Sequence, residues 1–183
     1  MKKFFYAMVS AALLVSCTGA GEVTPGWKES FDGMVPLLGH RNWIVVADMA
    51  YPLQSGQGIR TLYAPEGYLD VLSYVKEAVD SAPHILAHIY RDKELEFITE
   101  DMVEGIDSLK KGIAAVCGDE ARSVMHEELI SRLDSAGKLF NVVIIKTPLT
   151  VPYTTTFFEL DCDYWTGDQQ AALDSLMEMN DTK

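Results

Sequence analysis

The chain has 183 residues, 48% of them hydrophobic, and sets 27 Asp and Glu against 15 Lys and Arg for a formal charge of −12. That length and apolar content fit one globular domain with a sizeable core. The acidic balance repels nucleic acid and anionic lipid, so both are excluded as partners while small uncharged ligands stay open.

Residues 1–16 combine Lys2 and Lys3 with an apolar run from Phe4 to Val15 that is too short to span a bilayer, and they read as a secretory signal peptide. The run ends "LVSC" at Cys17 and resembles the bacterial lipobox, in which that cysteine becomes the lipidated first residue. The expectation is an exported protein of the bacterial cell envelope, on the periplasmic side or the cell surface, attached to the membrane by its lipid anchor only. Removing residues 1–16 removes two lysines and takes the formal charge to −14. Residues 17–26 then comprise the lipidated cysteine and a small, polar, proline-broken tether, residues 27–165 the domain, and residues 166–183 a helical tail. Of the remaining cysteines, Cys117 and Cys162 either pair in an oxidising compartment or stay as two separate thiols.

Along the domain, Phe31, Met34, Val35 and Leu38 fall at helical spacing, with Pro36 as a kink and Gly39 as the end. "WIVVAD" is a β-branched run of buried-strand type, and a glycine-bearing loop leads from it to a second strand, "IRTLYA". Pro65 and Glu66 suit the first turn of a helix with the stripe Tyr68, Leu72, Val75 and Val79. "HILAHIYRD" reads as a third strand. Two helices follow, one striped by Met102, Ile106, Leu109 and Ile113, the other by Met125, Leu129, Ile130 and Leu133 and ending at Gly137. "LFNVVIIK" and "YTTTFFEL" close the series as strands, and Leu173, Leu176 and Met177 predict a terminal helix over 167–180. Strands alternating with helices imply an α/β fold, a single three-layer domain with a mostly parallel or mixed central sheet.

In open α/β sheets ligands lie beyond the carboxyl ends of the strands, where Asp48 stands; His40 lies before the same strand. A histidine titrates near neutral pH and suits proton transfer, whereas a helix cap and a turn residue are the plainer reading of the pair. His84 and His88 on one strand are too far apart to share an ion without help, and Glu159, Asp161 and Asp163 could hold calcium in an exported protein but read more plainly as a solvated sheet edge. No phosphate loop, dinucleotide fingerprint or zinc cluster occurs, so neither metal nor cofactor is expected.

"LGHRNWIVVADMAYP" resembles the ribose pyranase and fucose mutarotase family, in which a helix ends in leucine-glycine-histidine, a short strand follows, and an aspartate opens a loop ending in proline. "GIRTLYAPEGYLDVLSYV", "SAPHILAHIYRD" and "VPYTTTFFEL" are similar, in matching order, to that family's second strand and helix, third strand and closing strand. The resemblance implies a ribose pyranase-like fold and a cofactor-free isomerase that interconverts ring forms or anomers of a free monosaccharide. It also implies a homo-oligomer with sites at subunit contacts. On that reading His40 is the acid/base, Asp48 orients it or holds sugar hydroxyls, Tyr153 supplies a phenol, from a neighbouring subunit or its own, and Arg60 and Thr155 bind substrate. The chain departs from the family in three places. Thr155 replaces an asparagine, Arg60-Thr61-Leu62 replaces an arginine-x-aspartate, and only "TPLTVP" stands where the family inserts a helix. These departures keep open a non-catalytic sugar-binding or structural lipoprotein on the same fold.

Overall fold

A computed structural model describes residues 26–119 and 121–181. The signal segment, Cys17 and the tether up to residue 25 lie outside the described residues. The elements are α1 (Trp27–Met34), β1 (Trp43–Ala47), β2 (Ile59–Tyr63), α2 (Tyr68–Asp80), β3 (Leu86–Asp92), α3 (Ile106–Cys117), β4 (Arg122–Val124), α4 (His126–Ala136), β5 (Val142–Lys146), β6 (Thr156–Asp161) and α5 (Gly167–Asp181).

One six-stranded sheet runs β2-β5-β1-β6-β3-β4. β5 pairs in parallel with β1 and β2, and β3 with β4, while β6 is antiparallel to both β1 and β3. Five strands therefore share one direction and β6 alone opposes them. β1 is buried along its whole length because both faces of the sheet are covered, which is why it reads as an unbroken apolar run rather than an alternating one. On one face Ile44, Val46, Val143, Ile145 and Phe158 pack against Phe31 of α1, Val71, Leu72 and Val75 of α2, and Ile113 of α3. On the other face Val45, Ile144 and Phe157 meet Leu129 and Leu133 of α4. This is the expected three-layer α/β domain with a mixed sheet.

Several boundaries differ from the sequence reading for local reasons. Gly67 is extended at φ −61° and ψ 147° and serves as N-cap of α2, so Pro65 and Glu66 stand outside the helix. Met102 precedes α3 in a turn and Met125 is the N-cap residue of α4, and both are exposed. His84 lies in the turn before β3, with Nε2 donating to the Leu38 carbonyl at 3.0 Å. β4, three residues long, follows α3 where the sequence showed only a junction between helices. The acidic residues read as a sheet edge lie on an interior strand or just beyond it: Glu159 and Asp161 belong to β6, between β1 and β3. Glu159 is only half-buried there and accepts from the Tyr90 hydroxyl at 3.0 Å. The terminal helix forms but is exposed throughout residues 167–180. Cys117, in α3, is buried and Cys162 half-buried, and both are free thiols. Among the described residues no helix is long and apolar enough to cross a membrane.

Close backbone approach explains Gly58, just before β2. A Cβ there would stand 2.5 Å from the Phe140 carbonyl oxygen, while the Gly58 carbonyl accepts from Val142 N–H at 2.9 Å. Only a residue without a side chain lets the two segments meet.

Candidate functional site

Since β1 to β5 run the same way, their carboxyl ends meet at one edge of the sheet, and the loop entering the opposed strand β6 arrives at that same edge. A cavity of about 540 Å³ lies there, walled by the segment 48–54 after β1, the start of α4, and residues 150–153 before β6. Asp48, Tyr51, His126 and Tyr153 bring polar groups to it; Met49, Pro52, Ile130 and Val151 supply apolar wall. A few polar groups on an apolar wall, in a volume of this size, suit a small polar ligand.

Asp48 follows the last residue of β1 and folds back in an Asx turn, its Oδ1 accepting from Ala50 N–H at 2.7 Å. His126 is the first residue of α4, fixed from two sides. Its backbone N–H donates to the Glu94 carboxylate at 3.1 Å, and its Nδ1 contacts Asp92 Oδ1 at 3.0 Å. An ionised carboxylate only accepts, so Nδ1 donates to it and Nε2 is the ring's other nitrogen. Asp92, at the end of β3, is 1% exposed. Burial pushes its carboxyl up to about 6 against the opposing pull of the His126 contact.

Tyr153 has φ +57°, in the left-handed region that a bulky residue avoids. Its ring stands edge-on to that of His126, with centroids 5.5 Å apart. The strained turn is held by its neighbour: Thr154 Oγ1 donates to the Val151 carbonyl at 2.9 Å, and the buried Tyr68 hydroxyl donates to the Thr154 carbonyl. Tyr51 is buried with a hydroxyl that has no partner among the described residues, and burial beside the charges of Asp134, Asp92 and Asp48 raises that phenol and keeps it a donor.

Of the residues singled out in the sequence, Asp48 and Tyr153 share this cavity within one chain. His40 does not join them. It precedes β1, and five strand residues at about 3.3 Å each hold it on the order of 15 Å from Asp48, at the opposite edge of the sheet. There its Nδ1 meets Asp161 Oδ1 at 2.6 Å and its Nε2 accepts from Arg41 Nε at 3.1 Å. Arg60, on edge strand β2, lines a separate cavity of about 520 Å³ beside α1. Thr155 is buried, its Oγ1 has no partner among the described residues, and it is not part of the Asp48 cavity wall. His126, Asp92 and Tyr51 escaped the sequence reading. The available signal was a histidine at the head of an apolar-striped helix, but without β4 nothing tied that helix to the carboxyl edge. Among the described residues no group of three His, Cys, Asp or Glu is placed to hold a metal.

No protein-family model matches the sequence, and no characterised protein does. Solved structures do match in shape. RbsD of Bacillus subtilis, determined in complex with D-ribose, superposes with a TM-score of 0.51 over 84% of this chain and 98% of its own, at 16% identity. FucU of Bifidobacterium longum gives a TM-score of 0.46 over 73% of this chain and 94% of its own, at 15% identity. The RbsD match shows that the resemblance to ribose pyranases extends to the fold.

Proposed function

We propose that the chain binds a free monosaccharide in the cavity at the carboxyl edge and interconverts its ring forms or anomers. The observation that carries this reading is the convergence of Asp48, the Asp92-held His126 and Tyr153 on one cavity, in a fold shared with a protein solved with D-ribose. Ring opening removes the proton of the anomeric hydroxyl, forms the C1 carbonyl, breaks the bond from C1 to the ring oxygen and protonates that oxygen; closure on the other carbonyl face reverses each step. His126 Nε2 is the free acceptor for the first proton, the Tyr153 phenol is a donor for the ring oxygen, and the Asp48 carboxylate accepts from sugar hydroxyls. Tyr51 offers a further donor.

His40 enters this chemistry only from a neighbouring copy, because its own chain holds it at the far edge. The functional form is accordingly a homo-oligomer in which the helix end of one subunit closes the cavity of the next, and closed rotational symmetry is the ordinary result of such a contact. Lipid on Cys17 anchors the assembly in the envelope. Saturation-transfer NMR between sugar anomers tests the enzyme reading. Enhanced exchange for at least one common pentose or hexose, lost in His126→Ala, supports it, and no enhancement with any sugar removes it.

One observation favours a second reading, binding without catalysis. Thr155 offers a single hydroxyl where the resembled family has an amide, and that hydroxyl is buried outside the cavity wall. Calorimetric sugar binding with no anomer exchange selects this reading.

A further inference from the structure

A second cavity, of about 380 Å³, lies on the α3 side of β3 and β4. Arg91 of β3, Lys110 and Lys111 of α3, Ser123 of β4, and the carboxylates of Asp92 and Glu96 contribute to its wall. Three of the chain's fifteen lysines and arginines thus gather at one hollow of a protein whose formal charge is −12. Such clustering runs against the overall charge and costs mutual repulsion unless something negative offsets it.

The carboxylates in the cavity wall have partners of their own. Asp92 is engaged with His126 on the other side, and Glu96 Oε1 takes the Ser123 hydroxyl. Among the described residues none of the three cations is within ion-pair distance of a carboxylate, and Lys110 reaches Glu100 only through the longer-range field between them. Lys110 is fixed by donating to the backbone carbonyls of Glu96 and Ile98, which hold its ammonium in place without neutralising it. Arg91 Nε is buried and has no hydrogen-bond partner among the described residues. A buried guanidinium N–H left unpaired costs free energy that an acceptor ligand restores.

We propose that this second cavity binds a small phosphate-type oxyanion, free or as the phosphate group of a small ester, with Arg91 as the directional donor and Lys110 and Lys111 as point charges. A tetrahedral oxyanion accepts two parallel bonds from a guanidinium fork and leaves its other oxygens to ammonium groups, which is the donor set present here. The cavity is of a size for such a ligand. The site is separate from the sugar cavity, and the inference stands whether or not the chain acts on sugars. Asp92 lines this cavity and contacts His126 of the other, so an anion on Arg91 places negative charge beside the carboxylate that orients His126.

Isothermal titration of the purified chain at low ionic strength with inorganic phosphate, methyl phosphate and malonate tests the site. The expected result is millimolar or tighter binding of phosphate, weakened about tenfold in Arg91→Gln and in Lys111→Gln and unchanged in Tyr153→Phe. Equal affinity for methyl phosphate identifies an ester-accepting site, and phosphate alone identifies a site for the free ion. No binding of either phosphate, or binding of malonate only, overturns the proposal. So does phosphate affinity that Lys111→Gln leaves unchanged. Lys111 is exposed on α3, so that variant decides the matter if Arg91→Gln fails to fold.

Discussion

Asp92 and His126, 34 positions apart, meet at 3.0 Å because β3 ends beside the residue that opens α4. One carboxylate is almost fully buried beside an imidazole that lines the cavity. Removing the carboxylate while keeping its shape is therefore informative. Asp92→Asn is expected to lower sugar exchange tenfold or more with little change in sugar affinity, because the ring loses its fixed tautomer rather than its place. Saturation-transfer rates with calorimetric affinities check it, and unchanged exchange would place the chemistry elsewhere.

The same residue sets a pH dependence of stability. Its folded-state carboxyl lies near 6, above the usual carboxylate range, so the folded chain binds more protons than the unfolded chain between about pH 4 and 6. The Asp92 contribution to stability is full below pH 4 and declines as pH rises through 6. Relative to Asp92→Asn, the native chain should lose on the order of 3 kcal/mol across that interval, as read by urea denaturation at each pH. A difference that grows in the opposite direction contradicts the assignment.

Tyr153 pays for its position with backbone strain. Tyr153→Gly removes the steric cost of φ +57° and should hold stability level or raise it by up to about 1 kcal/mol, while abolishing the phenol's part in exchange. Tyr153→Phe keeps the strain and loses only the hydroxyl. Thermal denaturation paired with exchange rates separates the two effects.

Gly58→Ala forces a Cβ into the Phe140 carbonyl, and neither backbone segment has room to move without breaking the adjoining ladder. A loss of about 1–3 kcal/mol is expected in chemical denaturation. Stability equal to the native chain would mean that the approach of these segments is looser than described.

Much of the frame was legible because its signals are local. "WIVVA" and "VVIIK" announce strands covered on both faces, and the stripe Tyr68, Leu72, Val75 and Val79 turns out wholly buried. What escaped depends on pairing between distant segments. β6 looks like an edge from its alternating acids, yet β1 and β3 flank it. β4 is too short to carry a period, and without it His126 has no visible relation to Asp48. His40 and Asp48 do bracket one strand, as their spacing said, but strand length separates what sequence proximity suggested was joined.

Tyr68 sits in the core on α2, and its hydroxyl reaches the carbonyl of Thr154, one residue beyond Tyr153, as well as Thr156 Oγ1 at 2.8 Å. A loop tied in this way does not open by itself. Its amide protons should be released to solvent with those of the helix behind it, and a substitution made entirely inside the hydrophobic interior at position 68 would be felt first by whatever occupies the cavity.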